Sequence, residues 1–319
     1  MNKKTATLLL NFGGPTSLDE VRPFLRNIFK DPAILPIKPG LLRNIVARFI
    51  SMVAAKSSRN KYRQIGGLSP LAVITMKQVS GLEDELRKRG ESIPVFAGMR
   101  YGKPSINNTV LDIIGEGIKK LIVLPLYPHY SITTTESAFR ELDKSVRALS
   151  CDIDVSLIAS YEEHPGYIEA LADKLLEQYE AAKSEGEEPS VIFSAHSLPA
   201  RLVEKDRRYL DGIRRTAELV AEAVKLEEFN FAYQSGQAGW LGPAVEETLA
   251  ELAGKGCKSF IVVPLSFTCD NIETLYDIDI KLQETARKLG VKLRRTGSLN
   301  DSPGFIRALA DIVADRLEK

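Results

Sequence analysis

Gly117-Ile-Lys-Lys-Leu-Ile-Val-Leu-Pro-Leu126 and Gly256-Cys-Lys-Ser-Phe-Ile-Val-Val-Pro-Leu265 align without a gap, glycine on glycine and proline on proline. Each carries a short unbroken apolar run, the pattern of a strand covered on both faces in a parallel sheet. Each follows an amphipathic helical stretch and leads through a Ser/Thr-rich loop into another helix. Upstream, Pro104 stands as far before Gly117 as Pro243 before Gly256, and Phe96-Ala97 matches Phe231-Ala232 if the second copy carries four extra residues. Several elements in one order point to duplication of a whole unit. The alternation of strand and helix predicts an α/β protein of two similar halves, residues 1–152 and 153–319, with parallel sheets and right-handed crossovers. The boundary is expected among the polar residues Ser150 to Asp154, ahead of a strand from Val155 to Ala159. Ligands of such sheets bind beyond the carboxyl ends of the strands, so the cleft between the halves is the expected active site.

Three stretches of the second half bring chemistry to strand ends. Val191-Ile-Phe-Ser-Ala-His-Ser-Leu-Pro199 reads as a buried strand delivering His196 to its carboxyl end. A satisfied core histidine is the bland alternative. Ser266-Phe-Thr-Cys-Asp-Asn-Ile-Glu-Thr-Leu-Tyr276 carries Asp270 and Glu273 into a helix. Helix-end capping accounts for a carboxylate there, yet Glu273 lies far enough along to point back beside the imidazole. Such a pair can act as a mononuclear metal station, a proton acceptor, or both in sequence. Two ligands are too few for a closed structural metal site. The stretch Phe231-Ala-Tyr-Gln-Ser-Gly-Gln-Ala-Gly-Trp-Leu-Gly-Pro243 sets the single tryptophan, Trp240, among glycines, as a flat wall for a planar ligand or as a core residue.

In the first half, Thr7 to Leu10 predicts a buried strand ending at Asn11-Phe-Gly-Gly-Pro15, after which Ser17 is expected to cap a helix with Glu20 three residues on. Gly13-Gly14 lacks the spacing of a dinucleotide or P-loop motif and reads as room for a ligand or as a simple turn. Residues 31–56 depart from the regular alternation. Pro32, Pro36 and Pro39 punctuate a loop, and Leu41, Leu42, Ile45, Val46, Phe49, Ile50 and Val53 then fall on one helical stripe, with Arg43 and Arg48 away from its centre. Such a stripe is either core or an exposed apolar lip for a greasy substrate or a membrane surface.

Composition narrows the classes. In 319 residues, 44% are apolar, 27% are charged and the net charge is +1, a balance with no basic excess that would favour nucleic acid as a partner. Cys151, Cys257 and Cys269 form no Cys-x-x-Cys pair, which argues against a disulfide framework or structural zinc. The apolar run near the start is too short for a signal segment, and no window approaches a spanning helix. A cytoplasmic protein is expected, at most peripheral to the inner face of a membrane.

Seven motifs in order give the chain a resemblance to ferrochelatases over nearly its whole length: Leu9-Leu-Asn-Phe-Gly-Gly-Pro15, Tyr62-Arg-Gln-Ile-Gly-Gly-Leu-Ser-Pro70, Met99-Arg-Tyr101, Leu126-Tyr-Pro-His-Tyr-Ser131 with Thr133 to Thr135, Phe193-Ser-Ala-His-Ser-Leu-Pro199, Tyr233-Gln-Ser235 with Trp240-Leu-Gly-Pro243, and Asp270-Asn-Ile-Glu-Thr-Leu-Tyr276. The resemblance implies two Rossmann-like chelatase-type domains, each with a four-stranded parallel sheet flanked by helices, and insertion of Fe²⁺ into a porphyrin with release of two protons in haem synthesis. It makes His196 the metal ligand and pyrrole proton acceptor, with Glu273 its partner carboxylate. It sets Phe12, Arg63, Arg100, Tyr127, Ser131 and Trp240 around the porphyrin, with a guanidinium on a propionate and the 41–55 helix as a mobile lip. Ferrous iron and porphyrin are then substrates, with no tightly bound cofactor. The three cysteines argue against the iron–sulfur cluster of some members, which needs four thiolates.

The chain departs from the family at Asn271, where many members have histidine, at Glu136, a usual glycine, and in a shortened loop between Ser235 and Trp240. Phe12, where coproporphyrin-using relatives tend to have tyrosine, and the apolar lip favour protoporphyrin over coproporphyrin. A cobalt or sirohydrochlorin chelatase, or a non-catalytic two-lobed tetrapyrrole binder, is the rival reading.

Overall fold

The apolar runs form strands, and each strand lies where helices cover it. In the computed structural model, which describes residues 4–317, the order is β1 (Thr5–Asn11), α1 (Val21–Lys30), α2 (Gly40–Gln64), α3 (Leu71–Lys88), β2 (Val95–Met99), α4 (Ile106–Gly115), β3 (Lys120–Pro125), α5 (Thr135–Ala148) and β4 (Asp154–Leu157). It continues with α6 (Pro165–Ser184), β5 (Pro189–His196), α7 (Ala200–Lys205), α8 (Arg208–Ala223), β6 (Asn230–Gln234), α9 (Val245–Gly254) and β7 (Ser259–Pro264). A wide π-helix (Glu273–Leu282) runs into α10 (Gln283–Leu289), followed by β8 (Lys292–Arg295) and α11 (Pro303–Leu317).

The strands make two four-stranded parallel sheets of identical order, β2-β1-β3-β4 and β6-β5-β7-β8. The central strands are apolar because both faces are covered: Leu8, Leu9 and Leu10 of β1 and Ile192 and Phe193 of β5 have no exposed surface. The duplication extends to the loops. Leu126 N donates to Leu10 O at 2.7 Å and Leu265 N to Ser194 O at 2.8 Å, while Met99 N donates to Pro104 O at 2.7 Å and Tyr233 N to Pro243 O at 2.8 Å.

Those bonds correct one expected match. They make Met99 the counterpart of Tyr233, so Ala97 corresponds to Phe231 and the two phenylalanines are out of step. Pro104 follows Met99 by five positions and Pro243 follows Tyr233 by ten, so the second loop is longer by five residues, not four.

The chain divides into one unit running to Ser160 that also takes in the residues from Leu309 onward, and a second unit, Tyr161–Ala308. The first therefore extends beyond the expected 152. β4, assigned from sequence to the second half, pairs with β3, from Lys120↔Asp154 to Val123↔Leu157, and is the fourth strand of the first sheet. The polar stretch 150–153 is only the turn from α5 into it. The end of α11 belongs to the first unit too, where Asp311 pairs with Arg89 at 2.6 Å.

One local expectation changes, and one pair of alternatives is decided. Ser17 does not cap α1, which starts at Val21 without a side-chain cap; Glu20 instead accepts from Thr16 N and Thr16 Oγ1 at 3.1 and 2.6 Å. Gly13-Gly14 is a tight turn packed against the Gly102 backbone and the Ser69 side chain. A Cβ on Gly13, whose φ is +87°, would lie 2.7 Å from Gly102 N, and one on Gly14 would lie 2.4 Å from Ser69 Cβ.

The 41–53 stripe is not core. α2 buries Ala47, Ser51, Ala55 and Tyr62. It presents Leu41, Ile45, Phe49 and Val53 to solvent at 60–74% exposure. Small residues at helical spacing let α2 lie close to its support, and the large apolar side chains point outward.

Candidate active site

β5 ends at His196, as its sequence predicts, and the residue is held by its backbone before its ring does anything. His196 N donates to Ser266 Oγ at 3.0 Å, and Tyr209 OH donates to His196 O at 2.7 Å and pairs with Ser266 Oγ at 2.9 Å. The ring Nδ1 donates to Glu273 Oε2 at 2.9 Å. The imidazole is one-third exposed, and no described side chain bonds Nε2. Trp240 and Phe267 stand edge-on to the ring, with centroids at 6.2 and 6.4 Å.

Glu273 opens the π-helix. Ser235, just past β6, donates to Glu273 Oε2 at 2.8 Å and to Asp277 Oδ2 at 3.2 Å, so the two carboxylates share one face. Burial alone would lower the affinity of His196 for a proton. The Glu273 charge and hydrogen bond, with Asp277 behind, outweigh it and hold the imidazole above its ordinary value. Burial likewise pushes the Glu273 carboxyl up, and the facing imidazolium and the Ser235 hydroxyl bring it below its usual range. Both shifts favour the charged forms, imidazolium and carboxylate. Of the other two histidines, His129 is buried and desolvated down to about 3, and His164 precedes α6.

Asp270 has a structural part. It accepts from Ser298 Oγ at 2.8 Å, Asn300 Nδ2 at 2.9 Å and Thr274 Oγ1 at 3.2 Å, with Arg295 Nη1 at 3.2 Å. Asn271 stabilises the turn into the π-helix: its Oδ1 accepts from Glu273 N at 2.8 Å and its Nδ2 donates to Cys269 O at 3.1 Å. Glu136 accepts from Tyr130 OH and pairs with Arg140 at 3.2 Å.

In the first unit, Phe12, Arg100 and Tyr127 follow β1, β2 and β3, at the carboxyl edge of that sheet. Phe12 packs edge-on against Tyr101, with centroids at 4.7 Å, and belongs with the buried Tyr127 to one apolar cluster. Tyr127 OH has no hydrogen-bond partner among the described residues. Ser131 is buried, with its Oγ 2.8 Å from Thr133 Oγ1. Arg63 lies in the last turn of α2, exposed, and donates to Asn60 Oδ1 at 2.8 Å.

Arg100 is less free than its expected pairing with a propionate requires. Its Nη2 donates to Asp31 Oδ2 at 2.6 Å and its Nε to Ser137 Oγ at 2.8 Å. Asp31 is buried at the root of the lip and also accepts from Tyr101 OH at 2.7 Å, from Ser137 Oγ and from Ala33 N at 2.7 Å. Burial raises its carboxyl, and these donors with the Arg100 charge bring it below the ordinary value.

Asp31, Tyr209 and Asp277 lie outside the motifs, and Ser235 and Phe267 fall within quoted stretches that assign them no part in the site. Asp277 leaves one signal, a carboxylate four residues after Glu273 on the same helix. Among the described residues no three His, Cys, Asp or Glu side chains gather as a metal site, and no helix is long and apolar enough to cross a membrane.

Residues 4–317 match the family model described as Ferrochelatase. The ferrochelatase of Geotalea daltonii is 42% identical over 98% of both chains, and that of Aquifex aeolicus is 39% identical over 98% of this chain and all of the other. Among solved structures, SirB from Bacillus subtilis with Fe³⁺ superposes with a TM-score of 0.57 at 14% identity, covering 98% of this chain and 95% of SirB, a likeness of fold. The twin parallel sheets are thus of the chelatase type, and by its matched length and the identity of its relatives the chain belongs to the ferrochelatase family.

Proposed function

We propose that the chain is a lyase of haem biosynthesis that inserts Fe²⁺ into protoporphyrin IX, with His196 and Glu273 as the reacting pair. Family membership supports iron insertion into a porphyrin, and the observation that carries the residue assignment is the 2.9 Å contact of His196 Nδ1 with Glu273 Oε2 while Nε2 stays open. The porphyrin presents four inward nitrogens, two of them protonated. A metal enters only when the ring is bent out of plane and the two protons find a base. Where His196 is protonated, that proton must pass to solvent first. An arriving dication competes for the Glu273 carboxylate, and its field lowers the proton affinity of His196, leaving a neutral imidazole to accept a pyrrole proton. Iron is cargo in this reading, and no resident cofactor takes part.

Phe12 and the exposed face of α2 support protoporphyrin, whose vinyl edges suit apolar walls where the extra propionates of coproporphyrin would be desolvated. The same face, with Arg48 and Lys56 nearby and exposed, supports peripheral contact with an anionic inner membrane surface in the cytoplasm. A side-by-side assay of both porphyrins with Fe²⁺ under reducing conditions tests the reading. Faster metallation of protoporphyrin is expected. A preference for coproporphyrin overturns the substrate assignment, conversion with cobalt alone favours the cobalt-chelatase reading, and a bound spectrum that never becomes metallated indicates a binder.

A further inference from the structure

The π-helix is wound wide although nothing in Glu273-Thr-Leu-Tyr-Asp-Ile-Asp-Ile-Lys-Leu282 forbids an ordinary α-helix: it contains neither glycine nor proline. π turns are rare and usually single, so a run of this length needs something outside it to hold it. β8 supplies the hold. Arg295, the last residue of β8, has a side chain only 12% exposed, and its guanidinium forks onto Asp279, Nε to Oδ1 at 2.7 Å and Nη2 to Oδ2 at 2.8 Å. Its third nitrogen, Nη1, lies 3.2 Å from Asp270 Oδ1 and donates to Thr296 O at 3.2 Å. Farther on, Gln283 Nε2 donates to Leu293 O at 2.8 Å. Asp270 comes before Glu273 and Asp279 comes after Asp277, so one guanidinium grips the chain on both sides of the two carboxylates that Ser235 joins. Tightening to α geometry would rotate Asp279 away from the fork.

We propose that Arg295 is a positioning residue for the metal-insertion reaction: by holding Asp270 and Asp279 together it keeps the helix wide and Glu273 and Asp277 in line with Ser235 and His196. A bidentate, planar donor suits this task, because two parallel bonds fix the orientation of a carboxylate that a point charge leaves free to turn. The inference rests on the proposed function above.

The test compares Arg295→Met, Arg295→Lys, Asp279→Asn and the Arg295→Met/Asp279→Asn double variant. For Arg295→Met, kcat for Fe²⁺ insertion should fall by roughly 10- to 100-fold, the scale of a small misplacement of reacting groups. The porphyrin KM should stay within about twofold, since the porphyrin walls are untouched. Arg295→Lys should recover part of the loss, Asp279→Asn should fall less than Arg295→Met, and the double variant should be no worse than Arg295→Met alone. Amide exchange over residues 273–282 should quicken in Arg295→Met. Near-wild-type kcat in Asp279→Asn, or strictly multiplicative losses, overturns the brace, and Asp279→Asn alone decides if Arg295→Met does not fold. A wild-type protein that fails to metallate any porphyrin sinks the functional reading instead, and unchanged amide exchange then sinks the brace independently.

Discussion

His196 Nδ1 and Glu273 Oε2 meet at 2.9 Å, one delivered by the end of a central strand and the other by the first residue of a π-helix. The contact leaves Nε2 on the opposite ring edge, with no described side chain bonded to it. His196→Ala should therefore lose about 10²- to 10⁴-fold in metal insertion, the range of a positioned acid–base group. Porphyrin binding, followed by fluorescence quenching, should persist. Turnover near that of the wild type would remove His196 from the mechanism.

The same contact predicts a pH dependence. In the proposed reaction a neutral imidazole accepts the pyrrole proton, and Glu273 holds the imidazole above its ordinary value, so the insertion rate should climb as pH rises through that raised value. In Glu273→Gln the raising charge is gone, and the surviving activity should have its rise displaced to lower pH. An unshifted limb of the pH–rate profile would show that the two groups are not coupled. For stability, the raised His196 contributes fully below its unfolded value and loses that contribution as pH rises through the folded one. The lowered Glu273 contributes above its unfolded value and loses it as pH falls through the folded one, so the pair stabilises most between these limits.

Asp31→Asn should be costly. Arg100, only 15% exposed, would keep its charge with the more distant Glu141 carboxylate, 3.7 Å from Nη1, as its remaining partner, so the loss should reach about 2–4 kcal/mol, somewhat under that of a fully orphaned buried charge. Urea unfolding gives the number. A loss below about 1 kcal/mol would mean that solvent already screens the pair.

Exposed apolar residues of the lip should behave in the opposite way. Phe49→Ser, at a position 63% exposed, should change stability by no more than about 0.5 kcal/mol. It should weaken sedimentation with anionic vesicles and raise the protoporphyrin KM. A large drop in unfolding midpoint, with binding untouched, would return this helix face to a role in packing.

Gly13→Ala should destabilise by about 1–3 kcal/mol, since the left-handed backbone and the 2.7 Å approach to Gly102 N leave no room for a methyl group. Thermal denaturation of the variant measures it, and an unchanged midpoint would mean the turn relaxes freely.

Much of this architecture is legible in the chain because parallel strands are written as local apolar runs. β5 and its terminal histidine, β3 and β7 all follow from stretches of ten residues or fewer, and their recurrence gives the repeated order. What escaped depends on partners far apart. Asp31 meets Arg100 and Ser137 across long separations, so Arg100 reads as a free cation when it already has a carboxylate. β4 belongs to the first sheet although a polar stretch precedes it, since such a stretch marks a turn as readily as a boundary, and Phe96 is out of step with Phe231 because a repeated residue type is a weaker guide than a backbone bond. The π-helix left a fainter trace: its buried positions, Thr274, Ile278 and Leu282, recur every four residues without the alternation of three and four that an α-helix shows. Ser235 stands in the motif Tyr233-Gln-Ser235, but its bond to Glu273 follows only from β6 lying beside β5.

α11 begins in the second unit and ends in the first, where Lys120 Nζ donates to Arg316 O at 3.4 Å and Asp311 meets Arg89. Domains generally fold as they leave the ribosome, the amino-terminal one ahead of the rest. Here that sequence of events is interrupted. The second unit has all of its own segments while the first still waits for residues 309–317, so the half made earliest is the half finished last.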